Sequence, residues 1–356
     1  METSIHARDV IGRDPFGRFL YNLKLKPWQA ALASFSIFLL YLFALPAYFG
    51  VLFPTQEFPF SSIVDGVNLV GFLLIHPVVI FFYVWQPQTI AGLYHLVLPL
   101  SPASLKDGLL RVSRVLHNTS RTWYFGVVFG LGVVYLGVIF VAEILGLRWY
   151  SYNWLMVVIL QLSRFFLFYM IIVILARHLI MAYNLNRVYH HVKLPILIAE
   201  SKYGVSFDAI TRYGLRFAGF GGVLGLFIAM RFFFFTPVFP EDAIYLVFYL
   251  ILIPLAFSLP FWQAHTNMRL ARLDALSRIS NSLQDEYDRL MVSLSSETET
   301  EISSDRIVAL RSMLELTEKA PTWPFENWAL YRVLAAVIFP FFMTGLGFLL
   351  DLFFEK

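Results

Sequence analysis

The chain has no cysteine, which excludes disulfides, thiolate metal sites and a cysteine nucleophile. Charge is nearly as scarce. Asp, Glu, Lys and Arg make up 14% of the 356 residues, against about 25% in a soluble domain, so a water-facing surface cannot be assembled from this sequence. The net charge of +3 is too small for a nucleic-acid partner held by bulk positive charge. No phosphate-cradling glycine loop, zinc-protease helix or serine-nucleophile elbow occurs. His190-His191 are adjacent, and adjacent residues on a helix point in different directions. The expectation is therefore no catalytic residue, no metal and no cofactor.

What the chain has is hydrocarbon. Hydrophobic residues reach 58%, with a mean hydropathy of +0.68. A helix crosses a hydrocarbon core of roughly 30 Å with about 20 apolar residues, and seven stretches qualify: 28–53, 67–85, 123–144, 152–175, 217–235, 243–262 and 328–350. The predicted fold class is all-α, a polytopic bundle of seven transmembrane helices. It divides into an amino-terminal segment (1–27), a six-helix membrane region (28–263), a helical hairpin (264–324) and a seventh helix with a short tail (325–356).

Lys and Arg orient these spans, because basic loops stay in the cytoplasm. Arg8, Arg13, Arg18, Lys24 and Lys26 precede the first span. Lys106, Arg111, Arg114 and Arg121 follow the second, and Arg177, Arg187, Lys193, Lys202, Arg212 and Arg216 follow the fourth. After the sixth come Arg269, Arg272, Arg278, Arg289, Arg306, Arg311 and Lys319, which leaves only Arg148 and Lys356 for the other side. The expectation is a multi-pass protein of the cell membrane with a cytoplasmic amino terminus and an outer carboxyl terminus. Trp28, Trp85, Trp123, Trp149, Trp154, Trp262, Trp323 and Trp328 all fall at or near span ends, where indole suits the headgroup layer. The first apolar run is too long for a signal-peptide core and reads as an anchor. Asn118-Thr119-Ser120 matches a glycosylation acceptor but falls on the inner side. Between Gly66 and Leu105 there is no charge, and Gln86-Pro87-Gln88 interrupts the run; Thr89 to Leu100 are then an interfacial or inner helix, or a shallow re-entrant segment.

The outer connections are short, whereas the inner ones continue the helices inward without a breaker. In the longest, Leu273, Leu276, Ser280, Leu283, Tyr287, Leu290 and Leu294 follow alternating steps of three and four, a heptad seam. A Ser/Thr/Glu-rich loop follows, and then a second amphipathic stretch with Ile307, Leu310, Met313 and Leu314 on one side, capped by Ser303 or Ser304. This hairpin is the candidate for homo-oligomer contacts. Pro321-Thr322-Trp323-Pro324 then breaks the helix ahead of the last span.

Seven spans, an inner amino terminus, small outer loops and a last helix divided into 305–320 and 328–350 resemble the seven-transmembrane ion channel superfamily that includes insect odorant and gustatory receptors. Thr344 is followed by Gly345 where that family often carries a Thr-Tyr pair. The resemblance implies a tetramer with the last helix lining a pore, on which Val337, Phe341, Thr344, Phe348 and Asp351 would share a face. A ring of Asp351 would favour cations.

Ionisable side chains inside a span are costly and need a reason. Arg164 lies about 13 residues into the fourth span, or about 20 Å at about 1.5 Å per residue. Gln161 sits one turn away, and His76, midway along the second span, lies at comparable depth, with Asn68 nearer the outer surface. These four form the leading candidate site, for a small-molecule ligand or for structural pairing. Arg231 and Glu143 form a candidate ion pair near the outer ends of their spans. Gly126/Gly130 and Gly221/Gly225 have small-xxx-small spacing, and Pro46, Pro77, Pro254 and Pro340 interrupt spans. Functionally the expectation is an oligomeric ion channel or ligand-responsive receptor in the lipid bilayer. A scaffold or sensor signalling through the hairpin, and a small-solute transporter, are the alternatives.

Overall fold

A computed structural model describes residues 5–56, 59, 61–97, 126, 130, 132–133, 149–191, 204–234, 251, 255–296, 304–320, 322–323, 331–335 and 338–342. Among them every regular element is helical, as the composition predicts. Two short helices open the chain, α1 (Ala7–Ile11) and α2 (Pro15–Asn22). Asp14 caps α2 by accepting from the Gly17 N–H at 3.0 Å, and Pro15 occupies the first helical position, where its missing N–H costs nothing. There follow α3 (Pro27–Tyr48), α4 (Gly66–Val97), α5 (Trp154–His190), α6 (Gly204–Phe234), α7 (Trp262–Ser296) and α8 (Ser304–Lys319).

Four helices are long and apolar enough to cross a membrane: Pro27–Tyr48, Gly66–Val97, Trp154–His190 and Val205–Met230. The expected spans 123–144, 243–262 and 328–350 lie wholly or largely outside the described residues; part of the last appears as the short apolar helix Tyr331–Phe342. At 37 residues, α5 measures about 55 Å, well over the roughly 30 Å of a hydrocarbon core.

Prolines shape these helices without ending them. The interruption expected at Gln86-Pro87-Gln88 does not occur: α4 runs unbroken through Pro87 to Val97. Proline removes the hydrogen bond to the carbonyl four residues back, so Pro87 frees the Tyr83 carbonyl, and an Arg177 Nη1 donates to it at 3.2 Å. Pro46 frees the Leu42 carbonyl, which accepts from Ser62 Oγ at 2.6 Å. Pro260 frees the Ala256 carbonyl, which accepts from His178 Nε2 at 2.7 Å. Pro46 and Pro77 are each preceded by one widened turn, Leu40–Ala44 and Gly71–Ile75, whose longer hydrogen-bonded ring makes room for the pyrrolidine.

α3 packs on α4, α4 lies against α5 and α6, and α7 contacts both α5 and α8. Two apolar cores result. The larger joins α1, α2, α4, α5, α6 and the start of α7, with Tyr83, Tyr189, Phe207, Tyr213, Phe217 and Phe261 among its fully buried side chains. The smaller gathers Phe38, Tyr41, Leu42, Phe72, Trp149 and Met156 at the opposite end of α3 and α5.

α7 and α8 pack against each other as a helical hairpin, and the seam between them differs from the expected heptad. Leu276, Leu283 and Leu290 are partly buried as expected, and between them Ile279 and Glu286 face inward, whereas Ser280, Tyr287 and Leu273 are exposed. The reason is electrostatic. Glu286 is buried between Arg306 of α8 at 2.9 Å and Arg289 of its own helix at 3.5 Å, and this pairing turns α7 away from its purely apolar stripe. On α8, Ile307, Leu310 and Leu314 are partly buried, while Met313 is exposed.

Candidate functional site

α5 carries a series of polar side chains along its length, and each ties it to another element. Arg164 comes first. Its Nη2 donates to Asn68 Oδ1 at 3.1 Å, and Asn68 Nδ2 donates to Asp65 Oδ2 at 2.7 Å. Asp65 also caps the start of α4, through the Asn68 N–H at 3.1 Å, and accepts from Trp149 Nε1 at 3.0 Å. The guanidinium is thus linked to a carboxylate through one amide, which offsets the cost of a charge inside the helix bundle. Of the four residues expected to cluster, Arg164 and Asn68 bond directly, and half-buried Gln161 lies one turn from Arg164 on α5. His76 stands apart, about 12 Å along α4 from Asn68. It bonds Ser34 Oγ through Nδ1 at 2.9 Å and packs against the Phe38 ring, 4.4 Å between centroids.

Halfway along α5 is the arrangement that the sequence reading did not find. Asp14 is buried against α4 and α5, with 10% of its side chain exposed against 5% for Arg177. Its Oδ2 accepts from Arg177 Nη2 at 2.7 Å and from the Tyr83 hydroxyl, and its Oδ1 accepts from the Tyr169 hydroxyl at 2.6 Å and from the Gly17 N–H. The same guanidinium lies 4.7 Å from the Tyr83 ring centroid while donating to the Tyr83 carbonyl. One cation therefore neutralises a carboxylate, stacks on an aromatic face and replaces the hydrogen bond that Pro87 removed. Gly17 makes room for it: a Cβ there would lie 2.6 Å from Asp14 Oδ2 and 3.0 Å from Arg177 Nη2.

One residue on, the hydrogen bonds determine the form of His178. Its Nε2 faces the Ala256 carbonyl, which only accepts, so Nε2 carries the proton. Nδ1 then accepts from the Tyr213 hydroxyl at 3.2 Å, and that hydroxyl accepts in turn from Gln86 Nε2 at 3.1 Å. Gln86 Nε2 also donates to the Ile174 carbonyl at 2.9 Å, which orients the amide. Neutral imidazole satisfies every contact, and the ring is sandwiched with Phe217, 4.0 Å between centroids.

The last turns of α5 meet the start of the hairpin. Asn186 Nδ2 donates to the Leu259 carbonyl at 2.6 Å and its Oδ1 accepts from the Gln263 N–H at 2.8 Å. These two main-chain groups are four residues apart, so the amide is inserted where a helical hydrogen bond would otherwise run. Asn267 Nδ2 donates back to the Tyr189 carbonyl at 2.5 Å. His265 Nδ1 donates to the Thr322 carbonyl at 2.8 Å and stacks on Trp323, 4.0 Å between centroids, which ties the returning chain to the base of α7.

A cavity of about 270 Å³ lies between α2, α3, α4 and α5, lined chiefly by Phe16, Leu20, Leu25, Ile37, Ile80 and Phe166, with Ser34, His76 and Ser163 as its hydrogen-bonding members. Among the described residues no three His, Asp or Glu side chains are grouped to hold a metal ion. Arg231 belongs to the last turn of α6, and its expected partner Glu143 lies outside the described residues. Of the expected pore face, Phe341 falls in the helix Tyr331–Phe342, while Val337, Thr344, Phe348 and Asp351 lie outside the described residues.

The missed residues had local signals. Asp14-Pro15 followed by Gly17 is a helix start with a glycine where the cap is crowded, and Pro87 announces a freed carbonyl at Tyr83. Nothing local announces that one arginine answers both. Comparison with protein-family models, with curated proteins and with solved structures finds no match for this chain.

Proposed function

We propose that the protein is a seven-span, ligand-responsive membrane receptor, built as an oligomer of the channel type, in which α5 passes the state of the bundle to the cytoplasmic hairpin. In this reading the amino terminus is cytoplasmic, the carboxyl terminus is outside, and the protein catalyses no reaction. One observation carries it. α5 joins Asp14 and the Pro87 region through Arg177, the Pro260 region through His178, and the first turn of α7 through Asn186. A displacement of α2 or α4 against α5 therefore has a continuous polar and packed route to the hairpin, and the hairpin exposes apolar side chains for a neighbour: Leu273, Tyr287, Met291, Val308 and Leu316. The same exposure supports the narrower alternative of a sensor or scaffold that recruits a partner without conducting.

The absence of cysteine makes the test direct. Single cysteines placed at Leu273 and Met313, both exposed, carry spin labels in reconstituted protein. Asn186→Ala raises label mobility at both sites if α5 holds the hairpin; unchanged spectra sink the transmission reading. Mass photometry in nanodiscs gives the subunit count, and a strict monomer removes the oligomer. Planar-bilayer currents altered by Asp351→Asn separate the channel from the non-conducting sensor.

A further inference from the structure

We propose that the cavity between α2, α3, α4 and α5 holds one acyl chain of an anionic glycerophospholipid of the inner leaflet, with its phosphate at the Lys24–Lys26 turn. Three observations lead there. First, the interior offers hydrogen bonds to almost nothing. Ser34 and His76 bond each other at 2.9 Å, and Ser163 Oγ donates back to the Ile159 carbonyl at 2.7 Å. A buried water needs two to four polar partners, so an apolar space of this size takes up hydrocarbon instead. An unfilled one would forfeit dispersion contacts along its whole wall.

Second, the cavity opens sideways. Ile37 on α3 and Phe166 on α5 line it while remaining 62% and 38% exposed. Ala33 and Leu40, about one turn before and after Ile37, are exposed on the same side of α3, so an acyl chain enters from hydrocarbon without crossing a polar barrier. Third, the rim is basic. Leu25 lines the cavity, and its neighbours Lys24 and Lys26 are exposed, with Trp28 exposed beyond them at the start of the helix. Arg13 and Arg18 on the same segment are also exposed, whereas the Asp14 carboxylate is taken up internally by Arg177. The outward charge of this corner is positive, which favours a phosphate that carries net negative charge over a zwitterionic headgroup. The inner-leaflet assignment rests on the cytoplasmic amino terminus of the reading above.

The test is native mass spectrometry of the full chain released from nanodiscs of phosphatidylcholine with phosphatidylglycerol. The expected result is one retained phosphatidylglycerol per chain. Lys24→Gln with Lys26→Gln lowers its preference over phosphatidylcholine by about ten- to thirtyfold while a chain is still retained. Ala33→Phe, which fills the cavity wall, and Ile37→Trp, which blocks its mouth, each abolish retention of both lipids. Equal retention of the two lipids by the unaltered protein overturns the headgroup assignment. Retention undiminished in the folded member of the two blocking variants overturns the cavity assignment, as does capture of a free fatty acid or detergent in place of phospholipid. These outcomes are read on lipid mass and differ from failure of the receptor reading, which is read on subunit count and hairpin mobility.

Discussion

Asp14–Arg177 in the bundle and Glu286–Arg306 in the hairpin are both carboxylate–guanidinium pairs, 2.7 and 2.9 Å long, and their carboxylates are equally buried at 10% side-chain exposure. They differ in the cation. Arg177 is 5% exposed and makes all its bonds inside the protein, while Arg306 is 61% exposed and shares its charge with water. Equal geometry therefore conceals unequal consequences. Removing one member of the first pair leaves a charge with no solvent to receive it, whereas the second relaxes into bulk water. The comparison also explains why the first pair joins segments distant in sequence: only a surrounding bundle can exclude water from both partners.

The contrast can be broken at several points. The largest effect is expected from Asp14→Ala, which strands Arg177 and should cost about 3–5 kcal/mol of stability, measured as thermal unfolding in detergent. Asp14→Leu combined with Arg177→Met should recover part of that loss, because no buried charge is left while the Tyr83 carbonyl and the Tyr83 and Tyr169 hydroxyls still lose their partners; a double variant as unstable as the sum of the singles would contradict this account. Gly17→Ala places a methyl on the same carboxylate and should cost about 1–3 kcal/mol, with the ion pair chemically intact. Asn186→Leu removes both hydrogen bonds that hold α5 to the start of α7 and leaves the Gln263 N–H and the Leu259 carbonyl to bond each other, at about 0.5–1.5 kcal/mol, measured as thermal unfolding in detergent. The smallest effect belongs to Glu286→Gln, about 0.2–1 kcal/mol. Raising the salt concentration should shrink that last value further and leave the Asp14 variants unchanged, since only the exposed pair is screened.

Much of the helical architecture was legible in the chain. Each of the four helices long enough to cross a membrane overlaps an expected span, because apolar length is a local property, although Val205–Met230 starts well before the expected 217 and takes in Arg212 and Arg216. The polar contacts were legible only in part. Arg164 stood out as a charge deep in a span, and Asn68, the member nearest the outer surface, is the one it bonds. His76 has the same depth in sequence as Arg164, yet depth does not specify which side of a helix faces which neighbour, and α4 directs it to Ser34. The proline at 87 read as an interruption because its missing hydrogen bond is a local fact, while the arginine that replaces it arrives from 90 residues further along. The hairpin seam slipped for a related reason: a spacing rule counts apolar side chains, and Glu286 is drawn inward by a cation on the other helix.

Composition and hydropathy by themselves determined that this chain is helical and apolar enough for a bilayer, because a backbone without water must satisfy its hydrogen bonds within each segment. Tertiary structure alone decided how the interrupted segments are completed. Arg177, His178 and Ser62 each reach a carbonyl that a proline has released on another stretch of chain. Such a bond depends on helices meeting at a particular rotation and height, and no single stretch of sequence contains that information.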